Sequence, residues 1–472
     1  MSRSDERRSF AAMFFLGIVT LWGQIENDVL RAVDSPCYAV IAKELSAKSP
    51  WDWVSMSANG KLFFEHPHFT PWLLALWMKL FGVSTTSALV PIVILSTLTL
   101  WLAYAIGRKL LDHSFGLLAG FVLLFTPSFI KDGRNPMLEP ALMFFIMLSL
   151  YFNLRFFKKD SGLNGVWAGL AFGFAILSKG PPAILAPLVL VAFYLATLFF
   201  SEAFKEFQVS VRSFLAHVFS VLGVGLGLIA LVDLWSLART GSSFFSQYMA
   251  SQLQYTLVNS RGVTENVWKF YFPNFFEYYP WIFLMYLSVP LMVWQWFKKK
   301  TVLVPAFIFG WLVTLGVFLG FTVIKHKGFW YTNIHYVGSS LIAAIPLWLL
   351  LSKVQFQKIF TIVCGVIAVG VLFFSATFPS LFDYPRPLEH LLAKASKEYK
   401  TTWQGKVIAN CTELNPWRGS FLFQFYLGAQ IGECDAQGAT LKLVNLRTAE
   451  LPEHVKIRIA GDPFALIDVP VK

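Results

Sequence analysis

Eleven mostly apolar stretches, each fifteen to twenty-two residues long, recur along this 472-residue chain at 10–27, 86–106, 114–131, 136–154, 164–178, 181–200, 214–235, 279–297, 302–323, 337–352 and 359–378. A helical bilayer crossing takes about twenty such residues, and lipid leaves an exposed backbone only the helix or the closed barrel. The spacing therefore predicts an all-α polytopic membrane protein of about eleven transmembrane helices. The fifth stretch is the shortest and is rich in glycine. Composition agrees: 56% of residues are hydrophobic and 14% charged, against about 45–50% and about 25% in ordinary soluble domains.

The formal charge of +12 does not indicate nucleic acid, because the basic residues are dispersed over short loops with no contiguous basic face. They alternate instead. With the N-terminus inside, the even-numbered connections carry Arg108 and Lys109, Arg155 with Lys158 and Lys159, Lys205 with Arg212, Lys298 to Lys300, and Lys353 with Lys358. That is the positive-inside pattern, and it suits a bacterial inner membrane. The start, MSRSDERRSF, is basic like a signal peptide but lacks a small-residue cleavage pattern, so it reads as an uncleaved first helix.

Three long polar segments then fall on the outer, periplasmic side: residues 28–85, residues 236–278 and the tail from about 379. The first contains SPCYAVIAKELS, a helical pattern with Tyr38, Ile41, Ala42 and Leu45 on one face, suited to lying along the bilayer surface. The tail alternates strand-like runs (KVIANC, FLFQFYL, ATLKLVNL, FALIDV) with turn residues, which predicts a small C-terminal α/β domain over 379–472 beside a membrane body over 1–378. The four cysteines lack metal spacing. Cys411 and Cys434 lie in the tail, where an oxidising compartment permits a disulfide.

Ionisable groups at membrane depth are costly and each needs a reason. Those on the outer side are Asp34, Glu65 and His66, then Asp132, Arg134 and Glu139 between spans three and four, Lys179 after span five, and Lys325, His326 and Lys327 after span nine. Carboxylates from two loops can accept a hydroxyl proton, while several lysines hold a phosphate leaving group. Each has a plainer reading. Asp34 precedes Ser-Pro as a helix cap would, Lys179 suits a snorkelling helix end, and His66 and His68 suit packing against Trp72. Glu139, about one turn into span four with only Arg134 near it in sequence, is harder to explain structurally.

These segments resemble the C-type glycosyltransferases, in the branch holding the lipid A aminoarabinose transferases and the protein O-mannosyltransferases. The resemblance covers about 10–350. DSPCYAVIAKEL matches the family's first outer-loop motif, which implies Asp34 as catalytic base with Tyr38 beside it. LFFEHPHFTPW matches the segment shaping the cavity, implying Glu65 and His66 there. GRNPMLEPALMFF matches the second acidic motif, with Glu139 at the acidic position and Asn135 in another frame. LSKGPP and HKGFWYTNIHY imply Lys179, Lys325 or Lys327 as donor-phosphate ligands with Tyr331 nearby. Cys37 stands where the family has arginine, and Arg31 is a candidate replacement. His66 stands in place of a lysine, and the loop GSSFFSQYMASQLQYTLVNSRG lacks the histidine that joins the Glu65 position at a divalent metal.

The resemblance implies transfer of one sugar from an undecaprenyl-phosphate donor to lipid A, another envelope glycan or a protein, with inversion and a cavity open to membrane lipids. No cofactor is certain. The competing class, a transporter or flippase of a lipid-linked sugar, would show repeat-related halves with broken midplane helices, and none is visible.

Overall fold

The computed structural model describes residues 3–31, 34–160, 162–253, 281–322, 329–351, 356–377, 386–449 and 455–468. The membrane body comprises α1 (Arg3–Trp22), α2 (Ser35–Ser46), α3 (Phe69–Phe81), α4 (Thr85–Leu110), α5 (His113–Leu124), α6 (Pro127–Asp132), α7 (Leu138–Phe157), α8 (Asn164–Lys179), α9 (Leu185–Phe199) and α10 (Val211–Thr240). It continues through α11 (Phe244–Tyr248), α12 (Ile282–Phe297), α13 (Val304–Thr322), α14 (His335–Leu351) and α15 (Phe356–Thr377). Among the described residues, seven helical stretches are long and apolar enough to cross a bilayer, and α3, α5, α12 and most of α13 are shorter apolar helices. The third predicted stretch, 114–131, is divided into α5 and α6 at Thr126-Pro127, where proline cannot donate to the preceding turn.

The body is built mainly by helix packing. A single apolar cluster runs from Met13 and Leu16 through Val122, Leu142 and Phe193 to Val337 and Ile345. One seam is unusually close. A Cβ at Gly169 of α8 would stand 2.8 Å from the Val221 carbonyl oxygen of α10, and one at Gly173 would stand 2.9 Å from that of Gly225. Only glycine permits this approach, and close backbone packing is what holds helices together where the surrounding lipid is as apolar as leucine. The opposite flank of α10 exposes Leu226, Leu231 and Leu234.

The C-terminal residues form a five-stranded sheet with strands β3 (Val407–Cys411), β4 (Gln430–Glu433), β5 (Ala439–Asn445), β6 (Ile457–Gly461) and β7 (Phe464–Asp468), in the order β4-β3-β5-β7-β6; β1 (Ser57–Ala58) and β2 (Lys61–Leu62) make a separate hairpin between α2 and α3. Strand β3 runs parallel to β4 and β5, while β7 is antiparallel to β5 and β6. Helices α16 (Pro387–Trp403) and α17 (Pro416–Leu427) accompany the sheet. Cys411 and Cys434 are joined, with their Cα atoms 4.5 Å apart.

Two expectations fail here. FLFQFYL is helix α17, not a strand: an unbroken apolar run fits a buried helix equally well, and the flanks decide. Asn415 caps the start by accepting from the amides of Trp417 (2.9 Å) and Arg418 (3.3 Å), with Pro416 in the first turn, and Gly428 ends it with φ 66°. Helix α2 does not lie on the bilayer surface either. Tyr38, Ile41, Ala42 and Leu45 are buried in one core with Leu388, Leu392 and Leu422 of the C-terminal helices. Lys43 Nζ donates to the Gln424 carbonyl at 2.7 Å, and the Leu30 amide donates to the Tyr426 hydroxyl at 3.2 Å. Burying a side chain the size of Ile41 or Leu45 contributes about 1.5–3 kcal/mol, so the protein core outcompetes the membrane surface as its partner.

Candidate active site

Helices α2, α7 and α8 bring the site together. Asp34 stands at the N-cap of α2 but its side chain makes no capping hydrogen bond. Its surroundings give it another character. Burial, then the negative charge of Glu139, raise its carboxyl to about 6 against the opposing effect of Lys179, and Glu65 raises it further. Three of the residues singled out in the sequence, Glu139, Lys179 and Glu65, thus act on one carboxylate.

Glu139 is buried in the first turn of α7, and its Oε1 pairs with Lys179 Nζ at the end of α8. Arg134, its only basic neighbour in the local sequence, is engaged elsewhere. The Lys179 ammonium also lies 4.2 Å from the centre of the Tyr331 ring, a cation–π contact that aims the side chain. Helix α8 stops where it does because Gly180 has φ 84° and ψ −129°, backbone that a β-carbon disfavours. A Cβ there would also meet the Tyr248 ring. The Tyr248 hydroxyl donates to the Lys179 carbonyl at 3.2 Å, fixing the lysine's backbone as well. Lys179 is therefore a held residue and not a freely snorkelling one.

Behind these groups lies a framework centred on Asp28, a residue that the sequence motifs do not single out. Asp28 Oδ1 accepts from Arg31 Nε at 2.7 Å, and Asp28 Oδ2 accepts from Arg134 Nη2 at 3.0 Å and Nε at 3.2 Å. Arg134 is only 1% exposed. Arg31, the candidate replacement for the charge missing at Cys37, is turned to Asp28. The Arg31 amide also donates to Asn135 Oδ1 at 3.4 Å, so the segment after α1 and the corner leading to Glu139 are tied together. The Asp28–Arg31 spacing of three was the available signal. Asp132 Oδ2 accepts from Asn333 Nδ2 at 2.5 Å, joining that corner to the turn carrying Tyr331; burial is the main cause that raises Asp132 to about 7. Replacing Asp28 by alanine removes the carboxylate shared by two buried guanidiniums, and is expected to cost about 3–5 kcal/mol, read as a lowered unfolding midpoint of the detergent-solubilised protein.

His66 meets the edge of Tyr38, with ring centres 5.6 Å apart. His68 packs between Trp72 and Phe244 at 5.0 and 4.1 Å, and burial pushes it down to about 4, so it is a neutral packing residue. Lys325 and Lys327 lie outside the described residues. Among the described residues no group of three or more His, Cys, Asp or Glu is arranged around a metal position.

Residues 65–232 match the model of a family described as dolichyl-phosphate-mannose-protein mannosyltransferase. An undecaprenyl phosphate-α-4-amino-4-deoxy-L-arabinose arabinosyl transferase of Pseudomonas aeruginosa is 30% identical over 186 residues, covering 36% of this chain and 31% of that protein. The chain thus spans about a third of the length of the curated relatives it matches. ArnT from Cupriavidus metallidurans, solved bound to undecaprenyl phosphate, superposes with a TM-score of 0.63 at 15% identity over 97% of each chain. The chain has the C-type glycosyltransferase fold. An Archaeoglobus fulgidus oligosaccharyltransferase shares this C-type fold more distantly, with a TM-score of 0.53 at 12% identity over 93% of this chain and 68% of that one.

Proposed function

We propose that this protein is a glycosyltransferase that moves a single sugar from a polyprenyl phosphate, of the undecaprenyl kind, to an envelope acceptor such as lipid A. The observation that carries the reading is the meeting of Asp34, at a carboxyl pKa of about 6, with the Glu139–Lys179 pair and Tyr331. The local relatives named for undecaprenyl-phosphate aminoarabinose transfer support the same chemistry. In this reading residues 1–378 cross the inner membrane eleven times with the N-terminus in the cytoplasm. Residues 28–85 and 236–278 and the unit 379–472 stand in the periplasm.

Asp34 takes the proton of the acceptor hydroxyl as its oxygen attacks the anomeric carbon. The bond from that carbon to the phosphate oxygen breaks, the electron pair leaves on the polyprenyl phosphate, and the sugar is inverted. Lys179 meets the growing phosphate charge, joined by Lys325 or Lys327. Glu139 holds the Lys179 ammonium in place before the donor arrives, while Glu65, His66 and Tyr38 wall the cavity on the acceptor side.

The base must be ionised, so kcat/KM falls about tenfold per pH unit below about 6 and is level above it, whereas an ordinary aspartate would hold the rate down to about 4. Glu139→Gln removes one of the charges that raise Asp34, so the acid limb of that variant moves to lower pH. A pH–rate profile of each checks both statements. The function itself is tested by mass spectrometry of lipid A and secreted proteins from cells with and without the gene. Loss of one pentose- or hexose-sized mass in the deletion supports transfer, and identical envelopes with a missing outer-face lipid-linked sugar overturn it in favour of a flippase.

A further inference from the structure

A second cavity of about 700 Å³ lies away from Asp34, between the outer end of α1, the start of α4 and one flank of α16. Its size is that of a small-molecule site. Five formally positive residues line it, Arg31, Arg134, Lys394, Lys397 and Lys400, against two carboxylates, Glu26 and Asp28. Asp28 is already matched by both arginines. The three lysines are not: among the described residues none of their ammonium groups has a hydrogen-bond or carboxylate partner. They recur every third residue along α16 and so face the same space.

Lys394 and Lys397 are exposed and Lys400 half-buried, so such an arrangement is mildly unfavourable on its own account. Like charges three or four apart on a helix repel, and burial first and Lys400 second disfavour the charge of nearby Lys43. Topology does not call for it, because the positive-inside rule places lysines on the other side. A bound anion resolves the repulsion. Several converging cations beside the aromatic rings of Phe425 and Tyr426 suit a phosphate carried on a ring-bearing or lipid-like body.

We infer that the cavity between α16 and the outer ends of α1 and α4 is a binding site for a phosphate-bearing ligand, distinct from the donor-phosphate site at Lys179. The inference rests on the proposed function only in placing α16 on the outer face. Arg31 is three residues from Asp34 and Arg134 is five from Glu139, so occupancy bears directly on the framework that aligns those carboxylates.

Full-length protein in phosphatidylcholine nanodiscs, titrated calorimetrically with inorganic pyrophosphate, tests this without reading catalysis. Wild type and Asp34→Asn are expected to bind alike, and K394A/K397A/K400A to bind at least about tenfold more weakly; the Lys→Arg triple variant, which keeps the charge, retains binding. These side chains project from the surface of α16, so the substitutions leave its core face intact. Repeating the titration in nanodiscs doped with a glucosamine-phosphate lipid separates the sources. A weakened pyrophosphate signal identifies a lipid headgroup as occupant, and an unchanged one a free anion. No binding by wild type, or equal binding by wild type and K394A/K397A/K400A, overturns the site. Absence of sugar transfer by a protein that still binds pyrophosphate in this pattern would count against the transferase reading alone.

Discussion

Asp34→Asn is expected to reduce sugar transfer by about 10²–10⁴-fold while the protein expresses, inserts and binds undecaprenyl phosphate as wild type. Asparagine keeps the shape but cannot accept the acceptor's proton, so the loss falls in the range of a removed general base. Removing a carboxylate that is buried and surrounded by other carboxylates does not destabilise the fold, since its ionised form is disfavoured there. Single-turnover transfer with radiolabelled donor, together with a binding isotherm for the lipid phosphate, separates the two effects. Wild-type turnover by the variant would remove Asp34 from the chemistry.

Lys179→Met is expected to lower kcat by about 10²–10³-fold, the usual cost of losing one group that stabilises developing charge, and to weaken binding of the polyprenyl phosphate as well. The two variants thus part company on donor affinity, which Asp34→Asn leaves intact. Lys179→Arg tests geometry beyond charge. A planar guanidinium keeps the Glu139 pair and can stack on Tyr331, but it carries its charge further out, so partial activity is the expected outcome. Full activity in Lys179→Met would mean that the pair with Glu139 is architectural.

Much of this was legible before any coordinates. A hydropathic pattern is set by length and lipid, which tertiary contacts seldom override, so helices such as α4, α7 and α10 fall where the apolar stretches do. The acidic and basic motifs at Asp34, Glu139 and Lys179 were visible because charge at such positions is rare. Their partners were harder to see. The Glu139–Lys179 pair joins residues forty apart in sequence, and local inspection offered only Arg134, which the fold gives to Asp28. Tyr248 and Asn333 act through a hydroxyl and an amide, groups common enough in loops to carry no signal. The helical character of α17 is hidden in the sequence because burial erases periodicity and its caps lie outside the apolar run. The true partner of α2 is hidden because nothing in residues 28–85 announces that residues almost four hundred positions later will cover it.

The glycine seam between α8 and α10 places the origin of the active site's accuracy somewhere other than its chemistry. Gly173 lies six residues before Lys179, roughly 9 Å down the helix at 1.5 Å per residue. A rigid helix transmits any displacement at that depth to its end. The Lys179 ammonium therefore behaves as the tip of a lever whose fulcrum is a backbone contact far from the site. A single methyl group added there, touching neither sugar nor lipid phosphate, would act on the reaction as directly as a substitution in the site itself.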